Sequence, residues 1–419
     1  MDVGLITVYE DQTTTLNLST IQLEELQSFD SIIGSQNLIV RANNRITIKK
    51  YVGFIVTKHL KIQVLPKILK DPNSHTFDEY ELRNQATKLF FGLLQYTNFL
   101  KAKQLPSPNS LEVDDRDILE IFIRIFVENL LQEIKRNMFN SYQRVEENSA
   151  FIKGKINYKK SIAQNYGMLH QHVINYEVFS ENNLLNKIFK SITLQLIKVT
   201  NNKKNKGMLL EAIQFFHEVE RVKLTKETFQ LVKFNRLNSQ YEPIFNLAKL
   251  FYYNQLSALY SGTKFTFSLM IPLNVLFEKT IVVALKNSSD LQVMHQSPQK
   301  FLVSSPQKYL MKPDITVIKD NEIVAILDAK YKNPITQGKV QISQTDLYQM
   351  VTYGVMYNCS KILLIYPLFK GQLKNDDIVE SYTVNTPFNA LTIQVMQVDL
   401  FQKNLDNIGE ELNKLICLY

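Results

Sequence analysis

Cysteine is nearly absent from this chain of 419 residues, which contains only Cys359 and Cys417. Two cysteines are too few for a disulfide framework or for a zinc site built on cysteine ligands. Their scarcity is typical of proteins that work in the reducing cytosol. We therefore expect a cytoplasmic protein.

Glycine is also scarce, with 12 residues, and no segment has the G-x-x-x-x-G-K-[ST] spacing of a phosphate-binding loop. In such a loop the glycines let backbone N–H groups approach the phosphates closely. The sequence therefore predicts that this chain does not bind or hydrolyse a nucleotide by itself.

Long uninterrupted apolar segments are missing as well. The most apolar window, Ile118 to Met138, is interrupted by Glu120, Arg124 and Glu128. A membrane span needs about 20 predominantly apolar residues. The window therefore predicts an amphipathic helix, and we expect no membrane span. The acidic start of the sequence does not fit a signal peptide.

Hydrophobic residues, by contrast, make up 45% of the sequence, and the formal net charge at pH 7 is +8. The length and the apolar content predict two or three domains with sizeable cores. The positive charge favours an anionic partner such as nucleic acid, although lysines dispersed over a solvated surface give the same total.

Local patterns predict a β-rich N-terminal module followed by a helical middle region. Residues 1 to about 70 contain short β-branched runs and a hairpin, Tyr51–Lys67. Apolar residues then recur at helical spacing from about 76 to 140, broken by a proline-rich loop at Leu105–Asn109. The polar, basic segment Asn201–Gly207 predicts another loop, and the helical pattern resumes from Met208 to about Leu259.

The C-terminal part has the element order of an α/β sandwich. A helix at Ile271–Leu285 precedes a strand hairpin, and a helix at Ser343–Tyr357 and a strand at Lys361–Tyr366 follow it. This order predicts a mixed sheet flanked by helices, so the fold class is α/β, or α+β overall. We place the domain boundary near residue 180, which divides the chain into 1–180 and 181–419.

The hairpin Lys312–Lys332, with the sequence KPDITVIKDNEIVAILDAKYK, carries the chemistry. Asp314 opens its first strand, and residues 319–322 supply turn chemistry. In the second strand the side-chain period of two places Val324, Ile326, Asp328 and Lys330 on one face. An apolar face that ends in an acid and a base needs ion pairing, hydration or a metal.

This pattern suits Mg²⁺-assisted hydrolysis of a phosphodiester. Mg²⁺ prefers carboxylate oxygens and keeps several waters, so Asp314 and Asp328 are the expected metal ligands. Lys330 is expected to orient the water or to stabilise charge on the phosphate. The alternative is a surface hairpin with a solvated Asp–Lys pair.

At these residues the sequence resembles the PD-(D/E)XK nuclease superfamily, with Pro313–Asp314 as the first half of the motif and Asp328–Lys330 as the second. More closely, it resembles the McrC-like endonuclease subunits of McrBC 5-methylcytosine-dependent restriction systems. Similar segments are the KGKI around Gly154, the polar turn before a helix that begins near Asn182, and the N-x-L-F-E of Asn274–Glu278. For the helix after the turn, Ser180 or Asn182 is the expected N-cap.

The resemblance adds two further candidate site residues. In related nucleases a helix glutamate ahead of the hairpin often completes the metal site, which implies Glu278 as a third ligand; a surface acid is the alternative. Gln349 and Tyr353 lie four residues apart on one helix face and resemble the Q-x-x-x-Y of the family. Gln349 is expected to contact a phosphate or the attacking water, whereas Tyr353 fits packing equally well.

The resemblance implies a Mg²⁺-dependent endodeoxyribonuclease that cuts double-stranded DNA containing modified cytosine. It also implies a partner, a McrB-like AAA+ GTPase hexamer, on which the N-terminal region 1–180 docks and whose GTP hydrolysis it stimulates. Two alternatives stay open. The chain is a non-catalytic activator of the ring, or it is a stand-alone DNA repair nuclease that shares the motif.

Overall fold

The computed structural model describes residues 4–417, except residues 28, 30–33, 35, 42–43, 58, 70–78, 99–116, 169, 257–266, 337–338, 373–377, 388–389 and 403. The loop predicted at Leu105–Asn109 lies outside the described residues. Among those that are described, no helix is long and apolar enough to cross a membrane.

The described residues form eleven α-helices and twenty strands, and both kinds of element occur mostly in consecutive groups along the chain. The helices are α1 Thr20–Gln27, α2 Glu79–Tyr96, α3 Ile118–Arg136, α4 Tyr158–Gln164, α5 Leu184–Val199, α6 Lys203–Phe215, α7 Lys226–Gln230, α8 Glu242–Leu256, α9 Leu273–Ser288, α10 Gln344–Tyr357 and α11 Asp406–Cys417. The strands are β1 Leu5–Tyr9, β2 Thr13–Thr15, β3 Leu38–Arg41, β4 Arg45–Ile48, β5 Tyr51–Val56, β6 Lys61–Leu65, β7 Ser141–Ser149, β8 Lys155–Ile156, β9 His172–Ser180, β10 Phe267–Pro272, β11 Gln292–His295, β12 Lys300–Val303, β13 Lys308–Met311, β14 Ile315–Lys319, β15 Glu322–Ala329, β16 Ile335–Thr336, β17 Lys339–Val340, β18 Lys361–Pro367, β19 Glu380–Asn385 and β20 Ala390–Val398.

The chain forms two compact units. The first comprises Met1–Phe99, Leu105–Ile118 and Ser257–Tyr419, and the second comprises Leu100–Gln104 and Leu119–Leu256. The predicted boundary near residue 180 lies inside the second unit. As a division between a docking region and a cleaving region, the split into 1–180 and 181–419 stays a prediction.

In the first unit, the N-terminal module is joined to the C-terminal part by one continuous sheet. Its strand order is β1-β6-β5-β10, in which β5 and β6 form the predicted hairpin and β10 pairs antiparallel with β5. Gly53 permits this pairing, since a Cβ there would lie 1.8 Å from the carbonyl oxygen of Leu269. A second sheet, β2-β4-β3, shares its apolar core with this module.

The C-terminal part of the first unit contains a six-stranded mixed sheet in the order β11-β14-β15-β18-β20-β19. The pairs β15–β18 and β18–β20 are parallel, and the remaining pairs are antiparallel. Helix α10 packs on the central strands, and α9 packs against α11. Together with the β-rich N-terminal module and the helical middle region, this sheet confirms the predicted α/β fold class.

The second unit contains α3, the antiparallel sheet β7-β9-β8 and helices α4 to α8. Gly154 makes the predicted tight turn with φ +66°, and a Cβ at this position would lie 2.4 Å from the carbonyl oxygen of Asn175. The turn therefore needs glycine for its conformation and for the close approach of β9.

Two local predictions for this unit are wrong. Asn183 caps α5, because its side chain accepts the N–H of Asn186 at 3.1 Å, and neither Ser180 nor Asn182 is the N-cap. The segment predicted as the basic loop Asn201–Gly207 contains the first turn of α6. Asn202 caps that helix, and Leu209 and Ala212 farther along it are buried, so local polarity did not prevent helix formation.

Candidate active site

The hairpin of β14 and β15 brings two aspartates to the same end of the mixed sheet. Its turn residues Asp320 and Asn321 both have positive φ, 50° and 65°, as a two-residue hairpin turn requires. The register pairs Ile315 with Leu327, so Asp314 before β14 lies opposite Asp328 near the end of β15. The Asp314 carboxylate accepts the N–H of Ala329 at 3.0 Å. This bond fixes the first acid against the strand that carries the second.

Burial makes both carboxylates hard to ionise, and repulsion from neighbouring acids adds to the effect. Asp328 is 1% exposed, and Asp314 is partly buried. Burial, followed by the charges of Asp328 and Glu278, raises the pKa of Asp314 to about 7. Burial also raises the pKa of Asp328, against the opposing effect of Lys330. A cation bound by these two acids would stabilise their ionised forms and so lower both pKa values.

Lys330 lies beside the acids, as its place on the Asp328 face of the strand predicts. Its Nζ is 2.6 Å from Oδ2 of Asp328 and 3.9 Å from Oδ1 of Asp346. Burial lowers the pKa of Lys330, but the surrounding carboxylates outweigh this effect, and the pKa is raised overall. The ammonium therefore stays charged. Asp314, Asp328 and Lys330 are called the acid corner below.

Helix α10 holds the lysine from the side. Gln349 accepts a hydrogen bond from Nζ of Lys330 at 3.2 Å and donates one to the hydroxyl of Tyr353 at 2.9 Å. The Tyr353 hydroxyl in turn donates to the carbonyl oxygen of Lys312 at 3.3 Å. Gln349 and Tyr353 thus share one hydrogen-bonded chain that runs from the lysine to the segment just before Asp314.

Glu278, on α9, faces the same corner but is held by two other side chains. Its Oε1 is 2.7 Å from Nε2 of His295 and accepts a hydrogen bond from Gln296 at 2.8 Å. Its charge contributes to the raised pKa of Asp314 and, to a smaller extent, of Asp328. Glu278 is therefore near the acids, and its role as a metal ligand stays a prediction.

Sequence reasoning missed three residues that contact this corner or its neighbour Glu278. Asp346 forms an ion pair with Lys332 and lies within 4 Å of Lys330, yet in the sequence it looks like an ordinary acid in the first turn of a helix capped by Ser343. His295 ends the short strand β11, Gln296 follows it directly, and neither has a motif around it. Their contact with Glu278 depends on the pairing of β11 with β14, which no local pattern indicates.

The donor set of the acid corner fits a hard divalent cation. Oδ2 of Asp328 is buried, and its charged neighbour is Nζ of Lys330 at 2.6 Å. Two carboxylates are enough for Mg²⁺ when water and a substrate phosphate supply the other ligands. Within the described part of the chain, no three His, Cys, Asp or Glu side chains are already grouped around one metal position. Asp314 and Asp328 are therefore the residues that would hold the ion.

The fold and this corner define a mixed α/β protein with two converging acids and a lysine at one end of its central sheet. The family model for the McrBC 5-methylcytosine restriction system component matches residues 46–367. The chain therefore belongs to the McrBC 5-methylcytosine restriction system component family, which confirms the resemblance found in the sequence.

Two solved structures from Thermococcus gammatolerans are similar to the chain. The first is a chain of the refined half-complex from a tetradecameric assembly of McrB AAA+ hexamers with bound McrC. It has a TM-score of 0.78 and 22% identity, and the match covers 98% of this chain and 100% of that one. A chain of the cryo-EM structure of the McrBC complex has a TM-score of 0.51 and 23% identity, with 68% and 88% covered. These similarities show a shared fold. No curated protein matches the chain.

Proposed function

We propose that this chain is the DNA-cleaving subunit of a 5-methylcytosine-dependent restriction system and that it hydrolyses phosphodiesters with Mg²⁺. The observation that supports this proposal is the acid corner, in which a buried acid, a partly buried acid and a charged lysine meet at one end of the sheet. The order of acid, acid-x-lysine on adjacent strands is that of PD-(D/E)XK nucleases. Family membership supplies the restriction role.

In this proposal each residue of the corner has a separate task. Asp314 and Asp328 would hold the ion, which would lower the pKa of the attacking water and neutralise charge on the phosphate. Lys330 places its ammonium beside the scissile phosphate, where a fixed positive charge stabilises the developing negative charge. Gln349 restricts the lysine side chain to this position through its hydrogen bond. The Ala329 N–H keeps Asp314 oriented toward Asp328.

The substrate and the partner are proposed from the family and from the similar structures. The substrate is double-stranded DNA with 5-methylcytosine, and the net charge of +8 is compatible with it. The partner is a McrB-like AAA+ GTPase hexamer, since the similar T. gammatolerans structures contain McrB with McrC. A cytoplasmic location follows from this role.

Exposed apolar side chains in the second unit support docking through the region 1–180. Nine of the twenty large hydrophobic side chains that are exposed among the described residues lie between residues 142 and 179. They belong to β7, β9, α4 and the loops around them. Their exposure favours a protein partner for this part of the chain, because apolar patches of this kind mark interaction sites.

Cleavage and GTP hydrolysis, measured separately on the chain with its AAA+ partner, test the proposal. With methylated duplex DNA, GTP and Mg²⁺, the wild type is expected to cut, and EDTA is expected to stop it. Asp314→Asn should lower the cleavage rate by at least about a thousandfold and leave GTP hydrolysis stimulated. Asp320→Asn is the matched control, since Asp320 lies in the exposed turn of the same hairpin and asparagine tolerates its positive φ.

The two alternatives give different results in the same assay. A non-catalytic activator stimulates GTP hydrolysis in every variant and never cuts DNA. A stand-alone repair nuclease cuts without the partner and without GTP. Equal cleavage by Asp314→Asn and the wild type would contradict the proposed role of the acid corner.

A further inference from the structure

The hairpin of β12 and β13 leaves the mixed sheet just before Asp314 and forms a two-stranded sheet of its own. Five of its apolar side chains are exposed: Phe301, Leu302, Val303, Tyr309 and Leu310. Phe301 pairs across the strands with Leu310, whereas Leu302 has the opposite orientation, so apolar groups lie on both faces. A lone two-stranded hairpin gains little from exposing such residues to water.

The base of this hairpin is fixed to the candidate active site. On its first strand, Nζ of Lys300 donates to the carbonyl oxygen of Met356 at 3.0 Å and lies 4.8 Å from the ring centre of Tyr357. The Tyr357 hydroxyl donates to the carbonyl oxygen of Met311, at the end of the second strand, at 3.2 Å. Both Met356 and Tyr357 belong to α10, the helix that also holds Lys330.

The segment that enters the hairpin is also joined to the first acid. The N–H of Gln296, ahead of β12, donates to the carbonyl oxygen of Asp314 at 2.8 Å. At the other end only Lys312 and Pro313 separate β13 from Asp314. The hairpin therefore projects from a rigid base whose two ends both lie beside the acid corner.

The charged side chains of the hairpin and its flanking residues are all basic. Residues 291–313 contain Lys300, Lys308 and Lys312 and no aspartate or glutamate. Lys308 and Lys312 are exposed, and neither forms an ion pair with an acid in the described parts of the chain. Duplex DNA has negatively charged phosphates on its outside and stacked, largely apolar bases inside. Lysines in a segment without acids complement the phosphates, and the exposed apolar side chains complement the bases.

We propose that the β12–β13 hairpin enters a groove of the DNA next to the phosphate that is cut. Tyr309, Leu302 and their apolar neighbours contact the bases, and Lys308 and Lys312 contact the flanking phosphates. This inference rests on the proposed function, because it takes DNA as the substrate of the acid corner. It assigns the hairpin the task of holding the duplex against that corner, and it adds no residue to the chemistry.

Site-specific photo-crosslinking identifies what covers the hairpin. The probe is p-benzoylphenylalanine in place of Tyr309 in the full chain with its AAA+ partner, irradiated with a labelled methylated duplex. The same probe in place of Leu237, which is 72% exposed in the second unit, is the control. We expect a DNA adduct at position 309 and none at position 237. Cross-links between two copies of the chain, or to the AAA+ partner, without a DNA adduct would overturn the proposal, as would no cross-link at all.

Salt dependence tests the phosphate contacts independently. Affinity of the same complex for the duplex is measured by fluorescence anisotropy at several salt concentrations, with Ca²⁺ in place of Mg²⁺. Lys308→Gln combined with Lys312→Gln should reduce the slope of log affinity against log salt by roughly two. Lys319→Gln, an exposed lysine at the far end of β14, should leave the slope unchanged. An unchanged slope in the double variant would overturn the proposal.

Neither measurement requires cleavage, so the two proposals fail separately. If the wild type binds and cross-links at position 309 but does not cut, the proposed function is wrong and the hairpin contact stands. If the wild type cuts but gives no adduct at position 309, the hairpin proposal is wrong and the acid corner stands.

Discussion

The described part of the first unit buries a carboxyl near a lysine at the acid corner and again at a second place, and we propose catalysis at the first alone. The acid corner contains Asp314, Asp328 and Lys330. The second place, called the Glu10 cluster here, contains Glu10, Lys67 and Tyr331. The two are adjacent in the chain, because Tyr331 follows Lys330 directly.

The two places differ in how their charges are compensated. In the acid corner, Lys330 is in contact with Asp328 and Gln349, and the Ala329 N–H binds Asp314. In the Glu10 cluster, both oxygens of Glu10 are buried without a hydrogen bond, and Nζ of Lys67 is 3.9 Å away. The closer ion pair of Lys67 is with Asp11.

The chemistry of the Glu10 cluster follows from this poor compensation. Burial, opposed by Lys67, raises the pKa of Glu10 to about 8, so the group is largely protonated at neutral pH. Its hydroxyl neighbour Tyr331 is also buried without a hydrogen bond, and Lys67 lies 5.0 Å from the centre of the Tyr331 ring. A buried carboxyl therefore does not define a metal site by itself. A second acid on a neighbouring strand and a lysine in direct contact with the buried acid distinguish the acid corner.

Replacing the lysine of each place is expected to give the largest difference in cleavage rate between the acid corner and the Glu10 cluster. Lys330→Met should lower the cleavage rate by roughly a thousandfold, because it removes a fixed charge beside the scissile phosphate. Lys67→Met should leave the cleavage rate within a few fold of the wild type and act on stability instead. Single-turnover cleavage at saturating DNA measures the first effect, and urea unfolding measures the second. Similar cleavage rates for the two variants would show that Lys330 is no more important for cleavage than Lys67.

The pH dependence of stability is expected to isolate Glu10. Its pKa is 4.5 in the unfolded chain and about 8 in the folded one, so between these values the unfolded state ionises while the folded state keeps its proton. The free energy of unfolding therefore falls as pH rises through this window, by about 1.4 kcal/mol per pH unit at most. Full stability from this group is present below about pH 4.5.

Glu10→Gln cannot ionise, so it does not lose stability as the pH rises. At pH 8 its free energy of unfolding should exceed that of the wild type by a few kcal/mol, which follows from the pKa difference of Glu10 between the folded and unfolded states. At pH 5 the two proteins should differ little. Urea unfolding of both proteins at pH 5 and pH 8 measures the difference. An identical pH dependence in the variant and the wild type would show that Glu10 ionises freely in the folded protein.

A smaller effect is expected from Gln349, which acts on the acid corner through Lys330. Gln349→Ala should lower the cleavage rate by about tenfold, since it removes one hydrogen bond to the lysine, worth about 1.5 kcal/mol for a charged partner. Gln344→Ala, on the exposed first turn of the same helix, is the control. A Gln349→Ala enzyme as active as the control would show that the lysine is held without this contact.

Local patterns were sufficient to predict the acid corner because its parts lie close together in sequence. Alternating β-branched residues defined β14 and β15, and the polar turn residues Asp320 and Asn321 defined their connection. Helical spacing placed Gln349 and Tyr353 on one side of α10, where a hydrogen bond now joins them. In each case the period of the backbone determined which side chains share a face.

Long-range pairing could not be predicted in this way. The antiparallel pairing of β10 with β5 joins residues more than two hundred positions apart, and the second unit lies between them in sequence. The Glu10 cluster also joins distant parts of the chain, since Glu10 and Lys67 come from the N-terminal module and Tyr331 comes just after β15. Nothing near Glu10 in the sequence indicates that its carboxyl becomes buried.

The most direct test compares the variants Asp328→Asn and Glu10→Gln. The rate at which the chain with its AAA+ partner cleaves methylated DNA is measured for each. Both residues are 1% exposed in the first unit, so both variants replace a buried carboxyl by a carboxamide of the same shape. We predict that Asp328→Asn loses at least about a thousandfold in cleavage rate and still stimulates GTP hydrolysis, whereas Glu10→Gln cuts at the wild-type rate. Wild-type cleavage by Asp328→Asn, or an equal loss in both variants, would contradict the assignment of the acid corner as the cleaving site.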